Sequence, residues 1–153
     1  MRHLLIAAAA ALLTPAAAAA APPSPAEREA LEALAARNDG AWNAADAVAV
    51  SADYASDGSL RLTGMAAALE GRDAVRAYFE KAFAARPATF RHVTRLQAID
   101  MVAPGVALAD AEVRVEQLKE GRWELARRFL NHSVLKRDGG AWRIQAVRAH
   151  LVP

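Results

Sequence analysis

Apolar positions recur along the chain with two different periods, and the change from one to the other divides it. From Pro25 to Phe83 the spacing is helical: Leu31, Leu34, Asn38 and Trp42 form one stripe, and Ala74, Val75, Tyr78, Phe79, Ala82 and Phe83 form another. Ser24 at the N-cap, Pro25 at the first helical position and Glu27 three residues after the serine predict a capping box, worth about 1 kcal/mol. Gly40 and Asp46 predict a break and then a short second helix from Val48 to about Tyr54. Asp57-Gly58 reads as a turn, Ser59 to Thr63 as a strand, and Ala66 to Leu69 as a weaker strand returning from Gly64. Gly71 opens the third helix, Asp73 complements its N-terminal dipole and Pro87 prevents its continuation.

From Ala88 onward the period is two. Thr89 to Val102, Val106 to Leu118, Trp123 to Arg137 and Ala141 to Leu151 read as four long antiparallel strands in meander order. Pro104-Gly105, Glu120-Gly121 and Asp138-Gly139-Gly140 supply the turns between them. Helices first and a sheet afterwards predict an α+β fold with helices covering one face of a curved sheet.

The N-terminus changes this picture in one respect. Arg2 and His3, the apolar run Leu4 to Leu13 and the small residues Ala16 to Ala21 have the layout of a secretory signal peptide, and the run is too short to span a bilayer. We expect residues 1–20 to be removed, residues 21–25 to be a linker, and residues 26–153 to form one domain in the periplasm or outside the cell. There is no cysteine, so the core alone must hold the domain together. Removing Arg2 lowers the formal net charge from +2 to +1, and acidic and basic residues alternate along the chain. Nucleic acid, and a membrane once the signal is cleaved, therefore have little electrostatic support as partners. His92, His132 and His150 lack metal-ligand spacing, and there is no glycine-rich phosphate loop or nucleophile elbow, so no metal and no cofactor are expected.

Several short segments, weak singly, form an ordered set: Ala41-Trp42-Asn43 with Asp46, Tyr54 to Gly58, Glu70 to Asp73 before Tyr78-Phe79, Val106 to Ala109, and Lys136 to Ile144. With these the chain resembles the nuclear-transport-factor-2-like superfamily, in its SnoaL-like branch of small bacterial proteins. The resemblance implies a cone in which three helices close over a bent sheet and leave a pocket, and a homodimer formed through the sheet's outer face. Its members include ketosteroid isomerase, scytalone dehydratase, limonene epoxide hydrolase and polyketide cyclases, alongside noncatalytic binding domains. Fold does not choose among these. The chain reads Arg148-Ala149-His150 where many relatives have His-Asn-Thr or similar.

Strand parity decides which residues could reach such a pocket. On the last strand Trp142, Ile144, Ala146, Arg148 and His150 share one parity, and Trp142 with Ile144 marks it as the inner one. An inward Arg148 needs a carboxylate or an anionic ligand beside it. On the preceding strand Phe129, Asn131, Ser133 and Leu135 compete with Leu130, His132 and Val134, and the first set is preferred as inward because it sends Lys136 outward. The strand from Val106 leaves two options open: Asp110 and Glu112 inward, or Ala107, Ala109, Ala111 and Val113 inward. With Asp110 inward, the candidate catalytic set is Asp110 as base, Arg148 as its electrostatic partner and Tyr54, or else His92 or His150, as donor. Trp42, His92, Phe129, Asn131, Trp142 and His150 are the candidate ligand contacts. The leading expectation is an exported domain that binds a small molecule. If it is an enzyme, proton transfer or water addition or elimination on a small apolar carbonyl compound is expected. The alternative is a noncatalytic dimeric ligand-binding or interaction module.

Overall fold

A computed structural model describes residues 20–152; the expected signal peptide, apart from Ala20, lies outside them. The elements are α1 (Pro25–Asn43), α2 (Ala47–Ala52), β1 (Tyr54–Leu62), β2 (Leu69–Glu70), α3 (Arg72–Ala84), β3 (Phe90–Ala103), β4 (Val106–Lys119), β5 (Arg122–Asp138) and β6 (Ala141–Val152). The strands make one sheet in the order β2-β1-β6-β5-β4-β3. The β3 to β6 meander is antiparallel throughout, whereas β1 joins β6 in parallel. The helices pack on one face of this sheet, giving the α+β cone expected from the sequence.

Local chemistry explains the element ends. The Ser24 side chain accepts from the Glu27 backbone N–H while the Glu27 carboxylate accepts from Ser24, closing the capping box that starts α1. Asp46 caps α2 through the Ala49 N–H at 2.8 Å. Ala21, inside the expected linker, exchanges two backbone hydrogen bonds with Met101 of β3. The core is built from Leu31 and Leu34 of α1, Val75 of α3 and Ile99, Leu135, Trp142 and Ile144 of the sheet.

The second helix ends at Ala52, so that Tyr54, expected at its end, opens β1 instead, and the strand expected over Ala66 to Leu69 is the two-residue β2. Two larger departures shape the site. Asp57-Gly58 is no turn: both lie within β1, where the register against β6 slips between Tyr54 and Ser59. Gly58 is required there because an added Cβ would lie 2.7 Å from the Ile144 carbonyl oxygen. The second departure is on β6. Leu135 pairs with Ile144 but Val134 pairs with Ala146, so Gln145 is an extra residue in the ladder. Such a bulge shifts side-chain parity by one. Trp142 and Ile144 are buried before it, and Val147 and Ala149 after it. Arg148 and His150 therefore point to the outer face, contrary to the inward direction that uninterrupted alternation predicts.

Candidate functional site

Between the helices and the sheet lies a cavity of about 430 Å³. Its α1 wall is Leu31, Leu34, Ala35, Asn38 and Trp42, and its α3 wall is Tyr78, Phe79, Ala82 and Phe83. On β4 the alanine alternative is the one realised: Ala107, Ala109, Ala111, Val113 and Val115 are buried, and Asp110 is exposed. Val113 and Val115 of this set line the cavity, while Ala107 and Ala109 pack in the core. Phe129, Asn131 and Leu135 of β5 line it as parity predicts.

Of the expected site residues, Trp42, Tyr54, His92, Phe129 and Asn131 line the cavity. Trp142 packs in the core beside it, with Arg137 over its ring at 5.2 Å. Asp110, Arg148 and His150 do not reach it. They gather on the opposite face of the sheet, where the Asp110 carboxylate meets His132 Nδ1 at 2.7 Å and the His132 and His150 rings lie tilted against each other, centroids 5.6 Å apart. Arg148 donates to the Ser59 hydroxyl at 3.2 Å and the Val147 carbonyl at 3.0 Å. Facing outward, it has no need of the counter-charge that an inward arginine requires. The Asp110–Arg148 pairing expected inside the pocket is thus absent from it, because Asp110 lies on the outer parity of β4 and the Gln145 bulge turns Arg148 the same way.

The polar group that the sequence did not bring forward is Asp39 of α1. Its carboxylate lies 2.7 Å from His92 Nδ1 and also accepts from the Thr94 N–H and hydroxyl, each at 2.7 Å. A carboxylate can only accept, so Nδ1 carries the proton and Nε2 is left as the basic nitrogen. Nε2 has no protein partner among the described residues, and the ring lines the cavity with Trp42 packed against it at 5.0 Å. The Asn43 side chain fixes the His92 backbone from the other side, accepting from its N–H at 2.6 Å and donating to its carbonyl at 3.0 Å. One sequence signal could have found Asp39: it lies three residues before Trp42, at the edge of the α1 stripe, where i and i+3 positions are neighbours.

Tyr54 is held with similar care. Arg72 donates twice to its carbonyl, and the Ile144 N–H donates to the preceding Asp53 carbonyl. The Asp53 side chain is buried and clamped by Arg37 at 2.7 Å and by Asn38 at 3.1 Å. The phenol has no protein hydrogen bond among the described residues, and burial pushes its pKa well above the ordinary tyrosine value. It remains a protonated donor at neutral pH. Asn131 brings a buried side-chain oxygen that has no hydrogen-bond partner among the described residues.

His92, Tyr54 and Asn131 thus share the cavity wall with mainly apolar side chains. Comparison with known proteins gives the fold its relatives. The SnoaL-like domain model matches residues 24–148. The chain belongs to the SnoaL-like family. Among solved structures it is similar to an NTF2-like protein with a cystatin-like fold from Novosphingobium aromaticivorans, with 25% identity over 83% of this chain and 82% of that one, at a TM-score of 0.71. It shares its fold with a ketosteroid isomerase-like protein from Erwinia carotovora atroseptica, with 19% identity, coverage of 85% and 99%, and a TM-score of 0.68. The fold also matches a Catenulispora acidiphila protein in complex with S-DNPA, with 15% identity, coverage of 84% and 95%, and a TM-score of 0.71. A comparison with curated proteins returns no match.

Proposed function

We propose that this SnoaL-like domain binds a small apolar carbonyl compound in its cavity and moves a proton on it, by isomerisation or by elimination of water. The observation that carries this reading is the 2.7 Å contact between Asp39 and His92 on the cavity wall. His92 Nε2 takes a proton from the carbon beside the carbonyl, and the C–H electron pair moves into the new double bond of an enolate. Asp39 keeps the ring oriented and stabilises the imidazolium as it forms, without itself taking the proton. The Tyr54 hydroxyl donates to the enolate oxygen, the kind of preorganised donor that stabilises developing charge. Return of the proton from His92 to a different carbon completes an isomerisation; its delivery to a departing hydroxyl group releases water. The ketosteroid isomerase-like relative is in keeping with such chemistry.

The test needs no physiological substrate. Incubated with 2-tetralone in D₂O, the protein should speed deuterium uptake beside the carbonyl, read by proton NMR, and His92→Gln should remove the acceleration. If 2-tetralone binds but exchanges no faster than in buffer, the catalytic assignment is wrong and a binding module is left.

We further propose that two copies pair through the outer sheet face, where exposed Leu108, Leu118, Trp123 and Leu125 stand among charged side chains. Light scattering giving a monomer mass at micromolar concentration would exclude this. The signal-peptide pattern supports export to the periplasm or the medium, and the mass of protein recovered from secreting cells should correspond to a chain beginning at Ala21.

A further inference from the structure

The charges around the cavity are one-sided. Among its lining residues there is no aspartate or glutamate, yet Arg86 and Arg127 both line it. Arg86 follows α3 and lies flat over Trp42, its guanidinium carbon 3.9 Å from the ring centroid and 4.8 Å from that of Phe83. Its Nη1 donates to the Trp42 carbonyl at 3.0 Å, while Nε is buried with no partner among the described residues. Burial lowers its pKa, as expected for a cation taken from water without a counter-charge. Arg127 is exposed at the rim and makes no ion pair among the described residues, although its charge is felt by Tyr78.

Register places both cations at the His92 end. His92 pairs with Val115, and Val115 pairs with Arg127, so the three form one row across β3, β4 and β5. Trp42, which carries Arg86, also packs on His92. The Asp39 carboxylate at this end is engaged by His92 and Thr94. A half-buried guanidinium with an unmet donor and a second guanidinium at the rim, beside an apolar cavity, match a ligand that is apolar in its body and anionic at one end. The fixed fork of arginine suits a carboxylate or a phosphate.

We infer that the ligand of this cavity is an amphiphile carrying a carboxylate or phosphate group, which Arg86 and Arg127 hold at the mouth while the apolar body fills the space under α1 and α3. This rests on the cavity reading above and narrows its substrate class. The anion orients the molecule, so that the carbon presented to His92 is set by its distance from the charged end. It also predicts salt-sensitive binding, since the rim arginine is open to screening.

The test uses N-phenyl-1-naphthylamine, a neutral apolar fluorophore, as the cavity probe, with decanoate, decyl phosphate and 1-decanol as competitors. Decanoate or decyl phosphate should displace the probe at about tenfold lower concentration than decanol, the size of one charge-assisted hydrogen bond. Whichever anion leads identifies the end group. In the Arg86→Gln/Arg127→Gln double variant the gap should close to about onefold, and Arg86→Lys/Arg127→Lys should restore most of it. Circular dichroism on each variant checks the fold. Equal displacement by all three competitors, or a gap that survives the double Gln variant, overturns the inference while leaving the cavity reading intact. Failure of the probe to bind at all removes the cavity reading, and the inference with it.

Discussion

Replacing Asp39 separates the site's geometry from any knowledge of its substrate. Asp39 is the sole protein partner of His92 Nδ1 among the described residues, and it also receives both donors of Thr94. In Asp39→Ala the ring loses a hydrogen bond to a charged acceptor, worth about 1.5–3 kcal/mol, which is roughly a 10- to 150-fold change in the ratio of its two neutral tautomers. The wild-type ring should therefore carry its proton on Nδ1, and the variant ring should shift toward Nε2, away from the form that presents a base to the cavity. Nitrogen-15 NMR of histidine-labelled protein above pH 8 distinguishes the two nitrogens directly. Thr94 supplies a second readout. Its backbone N–H is left without an acceptor at the edge of the cavity, at a cost of about 1–3 kcal/mol that should appear in urea denaturation. Asp39→Asn restores an acceptor oxygen on one side of the former carboxylate only, and should fall between wild type and alanine. A His92 tautomer ratio that is the same in wild type and Asp39→Ala would refute the orienting role of Asp39, and with it the reason for regarding Nε2 as the base.

Two further outcomes test the frame around the site. Gly58→Ala drives a methyl group to 2.7 Å from the Ile144 carbonyl oxygen and 3.0 Å from that of Ala55, so β1 and β6 must part. A loss of about 1–3 kcal/mol is expected in urea denaturation, and a change below about 0.5 kcal/mol would show that the bulge yields freely. Glu116 is buried on the outer face between Arg91 at 2.6 Å and Arg114 at 3.0 Å, and the Arg91 hydrogen bond foremost holds its pKa below the ordinary glutamate value. A depressed folded-state pKa contributes stability above the unfolded value that is lost as pH falls through the folded one. Wild type should thus lose on the order of 1 kcal/mol more than Glu116→Gln between pH 6 and pH 3, and equal losses in the two proteins would remove the assignment.

The period change at Ala88, the turn residues and the α1 capping box made the layers of this fold legible in the sequence. What local pattern could not show was the register of the ladders. Parity on β5 carried through to Asn131 and Phe129 because no bulge intervenes between them. On β6 one extra residue, Gln145, reversed it, and on β1 Asp57-Gly58 has turn chemistry but serves as a bulge under the Ile144 backbone. Tyr54 and His92 could be singled out from composition and neighbours. The partner of His92 could not, because Asp39 and His92 lie 53 residues apart and meet only when α1 crosses β3. Arg86 and Arg127 were equally hidden. Each looks like an ordinary surface charge until the lack of carboxylates among the residues lining the same cavity is seen in three dimensions.

The Gln145 bulge also bears on how such a domain can change over generations. Beyond it, the cavity side and the solvent side of β6 are assigned by a count of residues. Loss of a single codon at this point would exchange them in one step, bringing Arg148 and His150 to the interior and carrying Val147 and Ala149 out to the solvent. Substitutions at these positions alter the cavity one side chain at a time, whereas this deletion would swap its whole β6 wall. An insertion or deletion here is therefore a route by which one scaffold acquires a different set of inward polar groups while its helices and strand order stay the same.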